Sequence, residues 1–179
     1  MNYENFLELV NNRQACRGFS DKKIQDEILQ KIASIARLAP SACNSQPWKM
    51  YFVKEPIKVK QVTECLQAEG RNAFTSTAQA IVVISEIVPE NLKPDVLKKY
   101  GKDHFVKYDI GELLAYVTLS AKSLGVDSCI IGWMNEEKIK EVLGAGKDEK
   151  VGVAVVLGYS DSKTREKTRK SFDEVIKFI

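Results

Sequence analysis

Apolar residues recur at helical spacing in several parts of the chain. A pattern of one apolar residue every three or four positions predicts a helix over residues 22–38, and Pro40 ends it. Shorter helices are predicted over residues 3–13, 57–68 and 135–143. Much of the chain is therefore expected to be helical.

The strongest helical pattern lies in residues 109–125. Its apolar side chains cover most of the circumference, and Gly125 is well placed to end the helix. A helix that is apolar nearly all round is buried, either in the core of the domain or at a subunit interface. The pattern alone leaves both interpretations open.

Four segments have the pattern of strands. Residues 48–53 are rich in aromatic and branched residues, and residues 128–133 predict a second short strand. Residues 80–85 and 151–158 are apolar throughout, which is typical of strands covered on both faces. Mixed helices and strands predict an α+β or α/β layered domain.

The last segment, 160–179, is charged and then apolar, so we expect this tail to dock on another surface.

Composition narrows the class of protein. A chain of 179 residues, 44% hydrophobic and 28% charged, predicts one ordinary globular domain. A net charge of +3 without a long basic run argues against nucleic acid. No apolar stretch approaches ~18 residues, and the acidic start is unlike a signal peptide, so no membrane association is expected. Four cysteines lie far apart in the sequence: Cys16, Cys43, Cys65 and Cys129. We expect them to be free thiols in a reducing cytoplasm.

The side chains offer little chemistry of their own. The single histidine, His104, lies in a polar segment that is typical of a surface position. No ligand spacing predicts a metal site, and neither a P-loop nor a GxGxxG fingerprint is present. If the protein is an enzyme, a bound cofactor is expected to carry the reaction, and no catalytic side chain is predicted.

Residues 37–53, RLAPSACNSQPWKMYFV, place a polar loop between two prolines and directly before a strand. Asn44, Ser45 and Gln46 offer both donors and acceptors, which suits the polar edge of a flavin. The alternative is a loop that satisfies its own backbone. Pro47 is expected to keep Gln46 extended.

Two basic pairs lie at opposite ends of the chain. Arg13 and Arg17 are four residues apart and share a side in either a helix or an extended segment. Lys167 and Arg169 alternate in the tail, so in an extended chain they face one side. The arginine pair suits a phosphate dianion, and the alternative for each pair is an ordinary solvated surface.

A third candidate feature is the end of the predicted strand at residues 128–133. Gly132 permits backbone N–H groups to approach a planar ligand closely, and the alternative is an ordinary strand end.

Together and in this order, these segments resemble the nitroreductase family of FMN-dependent oxidoreductases. RQACRGF (13–19) is similar to the family pattern R-x-S-x-R-x-[FY], and APSACNSQPW (39–48) matches A-P-S-x-x-N-x-Q-P-W without a gap. GVDSCIIG (125–132) is similar to the strand G-x-x-S-C-x-I-G. LGY (157–159) followed by KTRK (167–170) is similar to the family's C-terminal pattern.

The resemblance implies an α+β fold with a central mixed β-sheet flanked by helices, as one domain over residues 1–179 and an intertwined homodimer. It also implies one FMN at the subunit interface for each chain. The residues that it assigns to FMN are Arg13, Gln14, Ala15 and Arg17 for the phosphate and ribityl chain, Lys167 and Arg169 for the phosphate, Asn72 for the ribityl and pyrimidine contact, Ser41, Cys43 and Asn44 for the partner's flavin, and Ile131, Gly132 and Trp133 for the N5 region.

The function that the resemblance implies is hydride transfer from NAD(P)H through flavin N5 to a nitroaromatic, quinone or related acceptor. The alternatives are a specialised relative that cleaves flavin or dehalogenates an aromatic, and a non-catalytic FMN-binding module.

Three positions depart from the family pattern. Ala15 replaces the family's serine, Ile130 stands where Trp is frequent, and Trp133 stands where a second Gly is frequent, so its indole is expected to narrow the pocket.

Overall fold

A computed structural model describes residues 2–179, which form seven α-helices and four strands. In chain order the elements are α1 (Tyr3–Asn12), α2 (Asp26–Ala36), β1 (Trp48–Val53), α3 (Pro56–Leu66), β2 (Ala80–Glu86), α4 (Pro94–Tyr100), α5 (Val106–Ser123), β3 (Asp127–Ile131), α6 (Glu136–Leu143), β4 (Lys150–Gly158) and α7 (Phe172–Val175). The predicted helices and strands are all present with ends shifted by a few residues. The short helices α4 and α7 were not predicted from the pattern.

The four strands form one sheet in the order β1-β2-β4-β3. The α+β class is confirmed, but the structure corrects the expectation of a mixed sheet, because all three strand pairs are antiparallel. Residues 67–79 return the chain to the end of the sheet where β1 finishes, so Val53 pairs with Ile81 at the start of β2. Hydrophobic periodicity does not show whether two neighbouring strands of a sheet run parallel or antiparallel. Among the described residues, parallel pairing is limited to an isolated bridge between Ala15 and Ser128.

Both faces of the sheet are covered, which explains the apolar runs of β2 and β4. Along β2, Ile81 and Val83 pack into a core shared with α3 and α6, whereas Val82 and Ile84 pack into a core shared with α2 and α5. Successive side chains of a strand point to opposite faces, so a strand with two covered faces needs apolar residues at every position. The prediction of strands buried on both faces is confirmed.

Helix α5 supplies much of the second core but is not buried all round. Leu113, Val117 and Ala121 are fully buried against α2 and the sheet. Tyr108 and Tyr116 lie on the exposed side of the helix. The structure therefore assigns one side of this helix to the core and leaves the other open to solvent in the single chain.

The C-terminal tail, residues 160–179, leaves the sheet after β4 and has no regular structure before α7. Its first part lies against residues 13–15, where hydrogen bonds hold it. Its apolar end is exposed, and Phe178 retains 84% of its accessible surface. Separately, none of the described helices is both long and apolar enough to cross a bilayer.

Candidate cofactor-binding site

The N-terminal basic segment lies along the outer edge of the sheet. The backbone N–H of Cys16 donates to the carbonyl oxygen of Ser128 at 3.0 Å, and Ala15 bridges Ser128 in parallel. Because β3 is the edge strand, this pairing holds Ala15 and Cys16 beside it. Along the chain, Arg13 precedes these paired residues and Arg17 follows them.

The tail brings the second basic pair to the same place. Lys167 Nζ donates to the carbonyl oxygen of Arg13, and Arg165 Nη2 donates to that of Ala15 at 2.7 Å. These segments line an open cavity of about 290 Å³. The residues that line it are Arg13, Gln14, Ala15, Arg165, Glu166, Lys167, Thr168 and Arg169. The structure thus joins two predicted groups that are about 150 residues apart in the sequence.

Positive charge dominates the lining of this cavity, where four cationic residues accompany one carboxylate, Glu166. Burial lowers the pKa of Lys167, and the charges of Arg13 and Arg169 lower it further. Within residues 2–179, no ion pair involves any of these three cations. Cations that approach one another without forming an ion pair make a site that suits a phosphate dianion, because guanidinium and ammonium groups donate charge-assisted hydrogen bonds.

Arg17 does not line this cavity but lies near the neighbouring strand. Burial raises the pKa of the Cys129 thiol on β3, and the positive charges of Arg17, Arg13 and Arg165 oppose that rise. All three guanidinium groups therefore lie close enough to the Cys129 thiol to act on its charge. Arg17 adds positive potential to the site, and the two predicted pairs together form one basic region.

The polar loop before β1 has an unusual backbone. Cys43, Asn44 and Gln46 all have positive φ, at 54°, 52° and 47°. The prediction of an extended Gln46 was wrong, because its N–H donates to Ser41 Oγ at 2.9 Å and its carbonyl accepts from the N–H of Trp48 at 2.7 Å. These two bonds impose a tight turn that overrides the usual preference of a residue before proline.

A buried residue that was not predicted from the sequence anchors the polar loop before β1. Asp109 on α5 is buried, and its Oδ1 accepts a hydrogen bond from the N–H of Ala42 at 3.0 Å. In the described part of the chain, Asp109 Oδ2 and Ser45 Oγ are buried without a hydrogen-bond partner. An acidic residue in a strongly apolar helix was the available signal for such an anchor.

The exposed residues of the polar loop before β1 lie away from the cavity that Arg13, Lys167 and Arg169 line. Cys43 and Asn44 are exposed, Ser41 is half-buried, and none of the three lines the cavity formed by the tail. The structure therefore does not bring the loop to the basic region of its own chain.

Asn72 and Trp133, predicted separately, are brought together. Asn72 Nδ2 donates to the carbonyl oxygens of Leu66 at 3.1 Å and Trp133 at 3.2 Å. The indole Nε1 of Trp133 donates to the carbonyl oxygen of Ala68 at 3.3 Å. Arg71, which the sequence did not mark, places its guanidinium 4.4 Å from the centre of the indole ring. The indole is thus held in one place although 46% of the residue remains exposed.

The backbone beside Trp133 is open. Ile131 is buried at the end of β3, and a Cβ added at Gly132 would meet no atom within 4 Å. Ser128 and Trp133 are separated by roughly 16 Å of extended chain. The basic region and the open backbone therefore lie toward opposite ends of one strand, an arrangement that fits an elongated ligand with an anionic end and a flat end.

Comparisons with known proteins identify the family of this chain. A sequence profile of the nitroreductase family matches residues 10–159, and the chain belongs to this family. A protein from Archaeoglobus fulgidus, whose name proposes NADH dehydrogenase and NAD(P)H nitroreductase activities, is 32% identical over 160 residues, which are 87% of this chain and 86% of that protein.

Solved structures share the fold. A nitroreductase family protein from Streptococcus pneumoniae TIGR4 superposes with a TM-score of 0.82 at 24% identity and covers 97% of this chain and 100% of its own. An FMN-dependent nitroreductase from Clostridium difficile R20291 has a TM-score of 0.74 at 24% identity and covers 96% of this chain and 98% of its own. These similarities confirm the nitroreductase fold.

Proposed function

We propose that the protein is an FMN-dependent oxidoreductase that takes a hydride from NAD(P)H and reduces a nitroaromatic, quinone or related acceptor. The observation that carries this proposal is the cluster of Arg13, Lys167 and Arg169 around one cavity, where none of the three forms an ion pair within residues 2–179. Family membership supports an oxidoreductase, and the name of the Archaeoglobus fulgidus relative supports NAD(P)H as the reductant. The name of the Clostridium difficile structure supports FMN as the cofactor.

The residues of the site would bind and orient the cofactor rather than react with the substrate. Arg13, Lys167 and Arg169 would hold the phosphate, and the exposed backbone at Gly132 and Trp133 would face the flavin ring. When bound, FMN supplies the hydride-accepting and electron-donating chemistry. The fixed indole of Trp133 would limit the width of the space beside the ring, so it would act on substrate size.

A homodimer with FMN at its interface is the second part of the proposal. Ser41, Cys43 and Asn44 lie away from the phosphate cavity of their own chain, so they would serve the flavin of the partner. The exposed apolar end of the tail supports this arrangement, because Phe172 and Phe178 would otherwise remain in water.

The test is reconstitution followed by reduction. Purified protein incubated with FMN and passed through a desalting column should retain about one FMN per chain. NADH or NADPH should then bleach the flavin absorbance without oxygen, and a nitroaromatic or quinone should restore it. Retained flavin that no nicotinamide reduces would favour a non-catalytic FMN-binding module. Failure to retain FMN would refute the proposal.

A further inference from the structure

The side chain of Gln14 forms its hydrogen bonds with the C-terminal tail. The resemblance assigns this residue to the cofactor, but its Oε1 accepts hydrogen bonds from the backbone N–H of Arg165 at 3.0 Å and from Arg165 Nε at 3.3 Å. Its Nε2 donates to the carbonyl oxygen of Lys163 at 3.2 Å. One neutral amide therefore makes three hydrogen bonds to a segment about 150 residues away.

Arg165 completes the same contact from the tail. Its Nε binds Gln14, and its Nη2 donates to the carbonyl oxygen of Ala15 at 2.7 Å. The planar guanidinium thus bridges the side chain of one residue and the backbone of the next, a geometry that lysine cannot reproduce. We call this set of contacts between Gln14 and Arg165 the latch.

The latch lines the cavity beside Lys167 and Arg169. Lys167 and Arg169 follow Arg165 in a stretch without helix or strand, so the path of the tail decides whether they reach Arg13. Like charges brought together in this way repel one another. Without an anion, fixed contacts upstream must hold the tail against that repulsion, and the latch provides them.

We propose that Gln14 and Arg165 are positioning residues that hold the tail on residues 13–15 and so assemble the phosphate site. Gln14 acts through the tail rather than by contact with the cofactor. Tail docking and phosphate binding are consequently coupled, because each favours the arrangement that the other requires. The inference rests on the proposed FMN function for the identity of the anion.

Flavin titrations of four variants test the coupling. Apoprotein carrying Gln14→Ala, Arg165→Ala, both changes, or the control Lys163→Ala is titrated with FMN and with riboflavin, which lacks the phosphate. Each latch variant should weaken FMN binding about tenfold or more and leave riboflavin within about twofold. In the double variant the loss of FMN binding free energy should be smaller than the sum of the two single losses, since the hydrogen bond between Arg165 Nε and Gln14 Oε1 is lost in both single variants. Lys163→Ala removes a tail charge, keeps the carbonyl that Gln14 contacts, and should behave as wild type.

Two outcomes of the titrations would overturn the inference. If Gln14→Ala weakened riboflavin as much as FMN, Gln14 would contact the ribityl chain or the ring directly. If the effects of Gln14→Ala and Arg165→Ala simply added, the two residues would act independently and no latch would exist.

Hydrogen exchange of residues 160–171 gives a readout that does not depend on flavin affinity. Without ligand, the amide of Arg165 should exchange faster in Gln14→Ala than in wild type, because Gln14 Oε1 accepts its hydrogen bond. Saturating FMN should slow exchange in the variant toward the wild-type rate, and riboflavin should not. Equal exchange in the two unliganded proteins would overturn the latch. If wild type bound neither flavin, the proposed function would fail, and this unliganded comparison would still decide the latch.

Discussion

Asp109 Oδ1 lies 3.0 Å from the backbone nitrogen of Ala42 and accepts its hydrogen bond. This contact ties the polar loop before β1 to the buried helix α5 at a point where Asp109 is only 6% exposed. A carboxylate in such a position costs desolvation free energy, which hydrogen bonds must offset. The loop conformation, with its three residues at positive φ, is thus fixed from inside the domain.

Replacing Asp109 should destabilise the protein in a graded way. Asp109→Ala leaves the N–H of Ala42 without an acceptor and should lower the free energy of unfolding by about 1–3 kcal/mol. Asp109→Asn keeps an oxygen in place and should cost less. Urea unfolding followed by circular dichroism measures both values. Equal losses in the two variants would show that the hydrogen bond to Ala42 does not anchor the loop.

The contacts of Asn72 predict a change in tryptophan fluorescence. Asn72→Ala removes the hydrogen bond to the carbonyl oxygen of Trp133 and frees the segment that carries the indole. In a Trp48→Phe background, which leaves one tryptophan, acrylamide should quench the emission of Trp133 more strongly in the Asn72→Ala variant. Unchanged quenching would mean that Ala68 and Arg71 alone hold the ring.

Glu149 predicts a loss of stability in acid. Burial would raise its pKa, but hydrogen bonds from Tyr51, Lys49 and the backbone of Gly146 outweigh that effect and lower the pKa to about 2 from the ordinary 4.5. A depressed folded-state pKa adds stability that is present above pH 4.5 and is lost as the pH falls toward 2.

Urea midpoints measured between pH 5.5 and pH 3 test this assignment. The wild-type midpoint should fall over that range more steeply than the midpoint of Glu149→Gln, which has no carboxylate to protonate. Parallel curves for the two proteins would exclude Glu149 as a source of acid sensitivity.

The four thiols should differ sharply in reactivity. Burial, together with the neighbouring Asp127, raises the pKa of Cys16 to about 11, and burial also raises the pKa of Cys65 and Cys129, so these buried thiols should react slowly. Cys43 is exposed in the polar loop. A disulfide reagent at neutral pH should label one thiol rapidly in the folded protein freed of flavin, and Cys43→Ser should abolish that phase. Rapid labelling of the variant would contradict the burial of the other three.

Hydrophobic periodicity predicted most of the helices and strands, because burial of one or both faces of an element determines which of its positions are apolar. The direction in which β2 enters the sheet is not determined in this way, since it depends on the path of residues 67–79. The predicted basic residues Arg13, Lys167 and Arg169 do line one cavity. Arg165 and Asp109 could not be assigned, because their roles arise from contacts with Gln14 and Ala42 that only the tertiary fold creates.

The central claim is that the cation cluster binds the phosphate of FMN. Its most direct test is the equilibrium affinity of apoprotein for FMN and for riboflavin, measured in wild type, in Arg13→Ala and in the control Lys102→Ala, which removes an exposed loop charge. Wild type and the control should bind FMN far more tightly than riboflavin. Arg13→Ala should weaken FMN about ten- to a hundredfold and leave riboflavin nearly unchanged. Equal affinities of wild type for the two flavins, or an Arg13→Ala variant that binds FMN as wild type does, would contradict the account.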